Sequence, residues 1–390
     1  MNANPIYLDG FATLPLAPEA RAAMLAVWDM PGNAGSPNLS GERAAGVIAE
    51  GRAAVAGLIG AAPGEIVFTS GATEANNLAV MGVAATLADL EPTRRRVVIS
   101  TIEHKAVIEP AQRLKERGFI IERAPVDRDG RLDLEAFRQL MDDSVLVASV
   151  MLVNNETGVI QPIQEAAEIA HACGALFHCD AAQGGGKVAI DVLELDVDYL
   201  SLSAHKCYGP MGIGALYISA AAPKPEPLFF GGGQQAGVRP GTEPAALIAG
   251  FGAAATVARA RLTDDQDHGS ALLSRLLRGL RDRQIRLVPV SREALTVPGG
   301  AAISLAGIDA DAVCSIVAGS VSLSTGSACT AGQIKSSHVL EAIGLSDLEA
   351  RSVIRIFCNR YTTAVEIDAA IDAIADGIER SHLATGEVHQ

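Results

Sequence analysis

Between residues 60 and 218 short apolar runs alternate with stretches of helical periodicity, and that alternation limits the chain to few folds. The apolar runs fall at 66–69, 97–100, 119–126, 145–153, 175–180, 199–203 and 213–218. Helical patterns occupy 74–87, 105–117 and 163–173, each between two runs. The runs are continuous rather than alternating, so both faces of the strands must be buried. Strands of that kind, separated by helices, predict an α/β fold with a mainly parallel seven-stranded sheet covered on both sides. The pattern stops at Pro223-Lys224-Pro225-Glu226-Pro227, and Gly231-Gly232-Gly233 reads as a flexible loop. A helical segment over 245–261 leads away, and from about residue 262 a second, smaller α/β unit carries strands near 302–305 and 353–357. A chain of 390 residues is long enough for both bodies to own a core.

Composition excludes several classes. With 31 basic and 45 acidic residues the formal charge is −14, which argues against wrapping nucleic acid or lying on anionic lipid. Arg94-Arg95-Arg96 is a local exception, read as a solvated helix-to-strand corner. No stretch approaches the ~20 uninterrupted apolar residues of a membrane span, and residues 1–9 lack a secretory pattern. The six cysteines have neither C-x-x-C pairs nor metal-like spacing, which suits a reducing cytoplasm.

In a parallel α/β sheet, ligands bind outside the carboxyl ends of the strands. Thr69-Ser70-Gly71-Ala72-Thr73-Glu74 is a strand–turn–helix corner, equally a plain helix cap or a phosphate cradle. His104 opens the next helix at the same rim. Asp180 ends an apolar strand, where a carboxylate is costly without a partner. A protonated pyridine ring would be such a partner, with Gln183 in reach of a ring hydroxyl. Lys206 ends another strand beside Ser203 and His205, and burial there raises the fraction of neutral, nucleophilic amine. Each residue singly has a bland reading as a cap or a surface ion pair. Their coincidence favours a covalent aldehyde cofactor.

These residues resemble the pyridoxal 5′-phosphate site of the cysteine desulfurases (the NifS/IscS type), fold-type-I members of the class V aminotransferase superfamily. The similarity runs from Tyr7-Leu8-Asp9 to Arg360-Tyr361-Thr362-Thr363. It is most specific in Thr69 to Asn77, Glu103-His104-Lys105-Ala106-Val107, Asn154-Asn155-Glu156-Thr157-Gly158, Asp180 to Lys187, Ser203 to Gly209 and Ser327-Ala328-Cys329-Thr330. It implies that Lys206 carries the cofactor, His104 stacks on its ring, and Asp180 pairs with the ring nitrogen. Asn155 and Gln183 would contact ring substituents or substrate, and Ala72, Thr73, Ser203 and His205 would hold the phosphate. Thr242 would reach the phosphate of a second subunit, implying a homodimer. Arg355 would clamp the substrate carboxylate, to which a guanidinium is matched in shape. The expected division is an N-terminal segment, 1–15, packing on the small domain, a large cofactor domain, 16–261, and a small domain, 262–390, carrying the cysteine loop.

Cys329 lies between Gly326 and Gly332 in a run of small residues, where a thiol can travel. The resemblance implies that Cys329 takes sulfur from L-cysteine as a persulfide, releasing alanine. The sulfur would then pass to an acceptor such as an iron–sulfur scaffold protein in the cytoplasm. Cystine lyase, selenocysteine lyase and transaminase chemistry remain alternatives, although a transaminase has no need of Cys329. A catalytically idle relative would have lost Lys206 or Asp180, and both are present. The chain departs from the family at Phe11 and Leu14, expected to narrow or reshape the pocket entrance, at Asn38, and at Gln235 and Ala236 after the triple glycine.

Overall fold

The computed structural model of the chain describes residues 4–326 and 337–385. Its largest sheet has seven strands in the order Ile66–Thr69, Gly214–Ile218, Tyr199–Ser203, Leu176–Asp180, Val145–Ser149, Arg96–Ser100, Ile120–Ala124. The sheet is mainly parallel, as the alternation of runs and helices requires; Gly214–Ile218 alone among them runs antiparallel to both its neighbours. Adjacent residues of one strand enter opposite cores. Phe68, Val98 and Ala148 belong to one apolar cluster, and Val67, Val97 and Val147 belong to the other. Burial on both faces is why these strands read as continuous apolar runs.

On one face the helices Pro18–Trp28 and Leu39–Leu58 pack against the helix Ala245–Asp282. Glycine permits the closeness of the second pair: a Cβ on Gly252 would lie 2.7 Å from the Gly51 Cα. The sequence pattern ends that long helix at 261, whereas it continues to Asp282. Leu262-Thr263-Asp264-Asp265 resembles a polar break, but Asp265 is used inside the fold, accepting Arg360 Nε at 2.9 Å. The helix is long and apolar enough to cross a membrane by length and composition. Its apolar side chains, Ile248, Phe251, Ala254 and Ala255 among them, are instead buried in the main core.

A second sheet, antiparallel throughout, has the order Ser324–Thr325, Val353–Phe357, Gly300–Ser304, Val288–Pro289 among the described residues. The N-terminal strand Ile6–Tyr7 pairs in parallel with Val321–Ser322, and Asp9 bridges to Phe357. The start of the chain is thereby fastened to elements more than 300 residues away. This places residues 9–14 between the two sheets. The arginine run also differs from expectation. Arg94 donates to the carbonyls of Val145 and Cys173, Arg95 lies over the Phe119 ring, and Arg96 pairs with Glu122 and Asp142. These guanidiniums tie the sheet edge together rather than standing in solvent.

Candidate active site

The carboxyl ends of parallel strands of the large sheet supply the centre of the site. Asp180 closes Leu176–Asp180 and is 4% exposed. One of its oxygens accepts from Asn76 Nδ2 at 2.7 Å and the other from the Ala182 amide at 2.9 Å. Both donors are neutral, so a buried carboxylate faces the crevice with its charge uncompensated by them. That is the environment in which a cationic ring nitrogen is well held. The Asn76 Oδ1 atom is buried without a hydrogen-bond partner among the described residues.

Lys206 sits on the single turn Ala204–Lys206 after Tyr199–Ser203, and its Nζ donates to the Phe11 carbonyl. The same carbonyl accepts from Gln183 Nε2 at 2.7 Å. Two groups from adjacent strand ends therefore meet at one oxygen delivered by the N-terminal segment. His104 caps the helix Lys105–Leu114, its Nδ1 accepting from the Ala106 amide at 3.1 Å. Burial, with Lys206 and Lys105 nearby, pushes His104 below the usual histidine range against the pull of Asp180. It is a neutral ring at neutral pH, suited to lying against a flat ligand or accepting a proton. His205 is pushed down to about 4 by burial and by Lys206 and Lys187, and its Nδ1 meets Thr13 Oγ1 at 3.0 Å.

Arg355 lies mid-strand in Val353–Phe357, between Ile354 and Ile356, and is 4% exposed. Its guanidinium donates to the Asn155 carbonyl at 2.8 Å, to Ser324 Oγ at 2.9 Å and to Asp9 Oδ1 at 3.2 Å. It stands 5.7 Å from the Phe11 ring centroid, and its Nε is buried without a partner among the described residues. Asn155 belongs to a turn folded on Asn154 Oδ1, which accepts the Glu156 and Thr157 amides, each at 2.9 Å.

At the other rim, Gly71 adopts φ 155° and the helical run begins at Ala72 and Thr73, with Thr73 exposed. The corner is braced by Glu74, which accepts from the Ser70 amide at 2.7 Å and from Arg239 Nε at 2.9 Å. Ser203, two residues before His205, is buried. The structure thus brings Lys206, Gln183 and Arg355 to Phe11, sets His104 near Lys206 and Asp180 and Asn155 against Arg355, and puts Ala72, Thr73, Ser203 and His205 at or just beyond strand ends. Thr242 is elsewhere: it is exposed and lines a surface recess of about 440 Å³ with Asn33, Arg52 and Glu243. Cys329 falls outside the described residues.

The departures have local explanations. The Phe11 ring is 1% exposed and packs edge-on against Phe357, so it floors Arg355 instead of narrowing an entrance. Leu14 is likewise buried, because the segment is sandwiched between the sheets. Asn38 caps the helix Leu39–Leu58 through the Gly41 amide. Gln235 and Ala236 take left-handed φ of 51° and 54°, and Gln235 bridges Arg52 to Glu243. Sequence reasoning missed Asp9, Asn76, Glu103 and Lys187. The first three are read as ordinary polar residues until folding sets Asp9 against Arg355, Asn76 against Asp180 and Glu103 against the Met151 amide. Lys187 carried a signal, being a lysine four residues after Gln183 in an otherwise small and apolar turn.

Residues 6–370 match the aminotransferase class-V family. "Cysteine desulfurase IscS" of Rickettsia massiliae (strain Mtu5) is 38% identical over 382 residues, covering 96% of this chain and 92% of that one. Among solved structures, a "NifS-like protein" superposes with a TM-score of 0.89 at 32% identity, covering 96% of this chain and all of that one. The structure described as "SspA in complex with cysteine" superposes with a TM-score of 0.79 at 32% identity, covering 92% of this chain and 99% of the other.

Proposed function

Because the chain belongs to the aminotransferase class-V family, on its cysteine desulfurase branch, we propose that it removes sulfur from L-cysteine with bound pyridoxal 5′-phosphate. One observation carries the reading: Lys206 and Gln183 meet at the Phe11 carbonyl, Arg355 lies near the Phe11 ring, and His104 is within electrostatic reach of both Lys206 and Asp180. The residues fit the cofactor. The Asp180 carboxylate, buried and met by neutral donors, would pair with the ring nitrogen, Gln183 would donate to the ring oxygen, and His104 would lie against the ring. Ala72, Thr73, Ser203 and His205 would hold the phosphate. When bound, the cofactor supplies an aldehyde that joins to amines and a ring that draws electrons from the attached carbon.

The protein's own groups do the rest. Arg355 would orient the substrate by its carboxylate, with Asn155 beside it. Lys206 would carry the cofactor and move the substrate Cα proton. The Cys329 thiolate would take the substrate sulfur: L-cysteine and the Cys329 thiol become L-alanine and a Cys329 persulfide, so atoms and electrons balance. His104, neutral at working pH, would accept the thiol proton. That the relative's structure is described with cysteine supports this substrate class.

The same reading includes a homodimer in which Thr242 serves the partner's phosphate site. Its support is the exposure of Thr242 away from the cluster, and of Trp28, Leu39, Phe229 and Phe230, large apolar side chains that a second copy would cover. It also includes the division at 1–15, 16–261 and 262–390, a cytoplasmic location, and a sulfur acceptor of the iron–sulfur scaffold or another thiolation type. The test is mass spectrometry of the protein after incubation with L-cysteine. A mass increase of one sulfur mapped to Cys329, with alanine released, is expected, and Cys329→Ser should abolish both while borohydride still fixes the cofactor on Lys206. Sulfur release that survives Cys329→Ser would overturn the relay.

A further inference from the structure

Lys187 is a second lysine at this site and is 4% exposed. It follows Gln183 by four residues in the tight turn after Leu176–Asp180, and its Nζ donates to Gln183 Oε1 at 2.7 Å. The amine lies 5.2 Å from the Phe357 ring centroid and 6.0 Å from that of Phe11. The titratable and charged groups that act on it are Lys206, Cys207 and Arg355. Burial first, and then the two cations, push it well below the usual lysine range, against the pull of Cys207. An apolar side chain of the same length would fill the space between two phenyl rings without that desolvation. The amine needs another reason, and Gln183 supplies it.

A carboxamide can present either its oxygen or its nitrogen. The Phe11 carbonyl only accepts, so the Gln183 nitrogen must face it, at 2.7 Å, and the oxygen must face Lys187. We propose that Lys187 is a positioning residue that anchors the Gln183 carboxamide by its oxygen, so that the nitrogen, a donor, is what the pocket presents beside Lys206. The assignment rests on the cofactor reading above, in which that donor serves the ring oxygen. A donor there favours the form of the cofactor with more negative charge on that oxygen.

The experiment reads the pH midpoint of the bound cofactor's visible absorption in the full-length holoprotein. Lys187→Met and Gln183→Leu should each raise the midpoint by about 0.5–1 unit. The double variant should move no further than Gln183→Leu alone, since the two act through one group. Lys187→Gln, which still donates, should fall back toward wild type, whereas simple space-filling would leave Met and Gln variants alike. An unmoved midpoint in Lys187→Met, or fully additive shifts, would overturn the assignment. A second reading needs no Lys187 variant: the ¹⁵Nζ resonance of Lys187 in the apoprotein should shift in Gln183→Leu, and a resonance that stays in place counts against the bond. Wild-type protein that takes up no cofactor, with no borohydride adduct at Lys206, removes the functional reading itself. A normal wild-type band with unmoved variants removes only the role of Lys187.

Discussion

Glu103 has no exposed surface, and its carboxyl is pushed up to about 8. Burial is the main cause, the Ser100 hydroxyl opposes it, Asp180 adds to it, and the Met151 amide opposes it. In the unfolded chain the same carboxyl titrates near ~4.3. The folded state therefore binds the proton more tightly, and stability from this group is complete below that value and lost as pH rises through about 8. Glu103→Gln cannot titrate. Chemical denaturation of both proteins between pH 5 and 9 should show the variant gaining on the parent by about 3–5 kcal/mol across the window and levelling beyond it. A constant gap would mean that Glu103 is not held protonated. Single residues of this kind mark the boundary of what sequence shows. Lys206, Asp180 and His104 were legible because each sits where a strand ends or a helix begins, which the apolar pattern locates. Glu103 adjoins His104, but its burial depends on a neighbouring strand from another part of the chain.

Elements were legible wherever a local pattern is also the reason for burial. The seven strands are recognisable because both of their faces are covered, and their packing then places the carboxyl end of every strand but Gly214–Ile218 at one rim. The antiparallel Gly214–Ile218 was not legible, since direction depends on the path of the connection and leaves no mark on side-chain periodicity. The helix Ala245–Asp282 outran its expected end because Asp265 looks like part of a stop only while its partner Arg360 is unknown. Helix–helix contact offers a sharper test. A methyl group on Gly252 would meet the Gly51 Cα at 2.7 Å and the Gly51 carbonyl at 3.3 Å, both backbone atoms that cannot rotate away. Gly252→Ala should destabilise by about 1–3 kcal/mol despite its better helix propensity, measured as a lowered thermal midpoint. A neutral or stabilising result would show that the helices Leu39–Leu58 and Ala245–Asp282 separate more easily than their packing indicates.

Across the whole molecule, the sheets are joined by a few long-range ties. Arg360, beyond the end of Val353–Phe357, pairs with Asp265 on the long helix at 2.5 Å, lies 4.1 Å from the Tyr208 ring centroid, and donates its backbone amide to the Tyr208 oxygen at 3.0 Å. Its guanidinium and the Asp265 carboxylate are almost wholly buried. Asp265→Ala would leave a buried cation unpaired, and a loss of about 3–5 kcal/mol is expected in denaturant unfolding. A loss within that of a surface pair, about 0–1 kcal/mol, would show that water reaches Arg360 freely. The N-terminal segment is the other tie, pairing with Val321–Ser322 and setting the Phe11 carbonyl between Lys206 and Gln183. By itself the sequence determined the layered α/β architecture and the chemical identities at the strand ends, because periodicity and residue type are local properties that burial acts upon directly. Only the tertiary structure decided that Phe11 contributes its backbone carbonyl as well as its ring, that Arg355 is shared by Asp9, Ser324 and Asn155, and that Lys187 meets Gln183 in an apolar pocket. Those choices depend on which distant segments exclude water together, and no single stretch of chain encodes its partners.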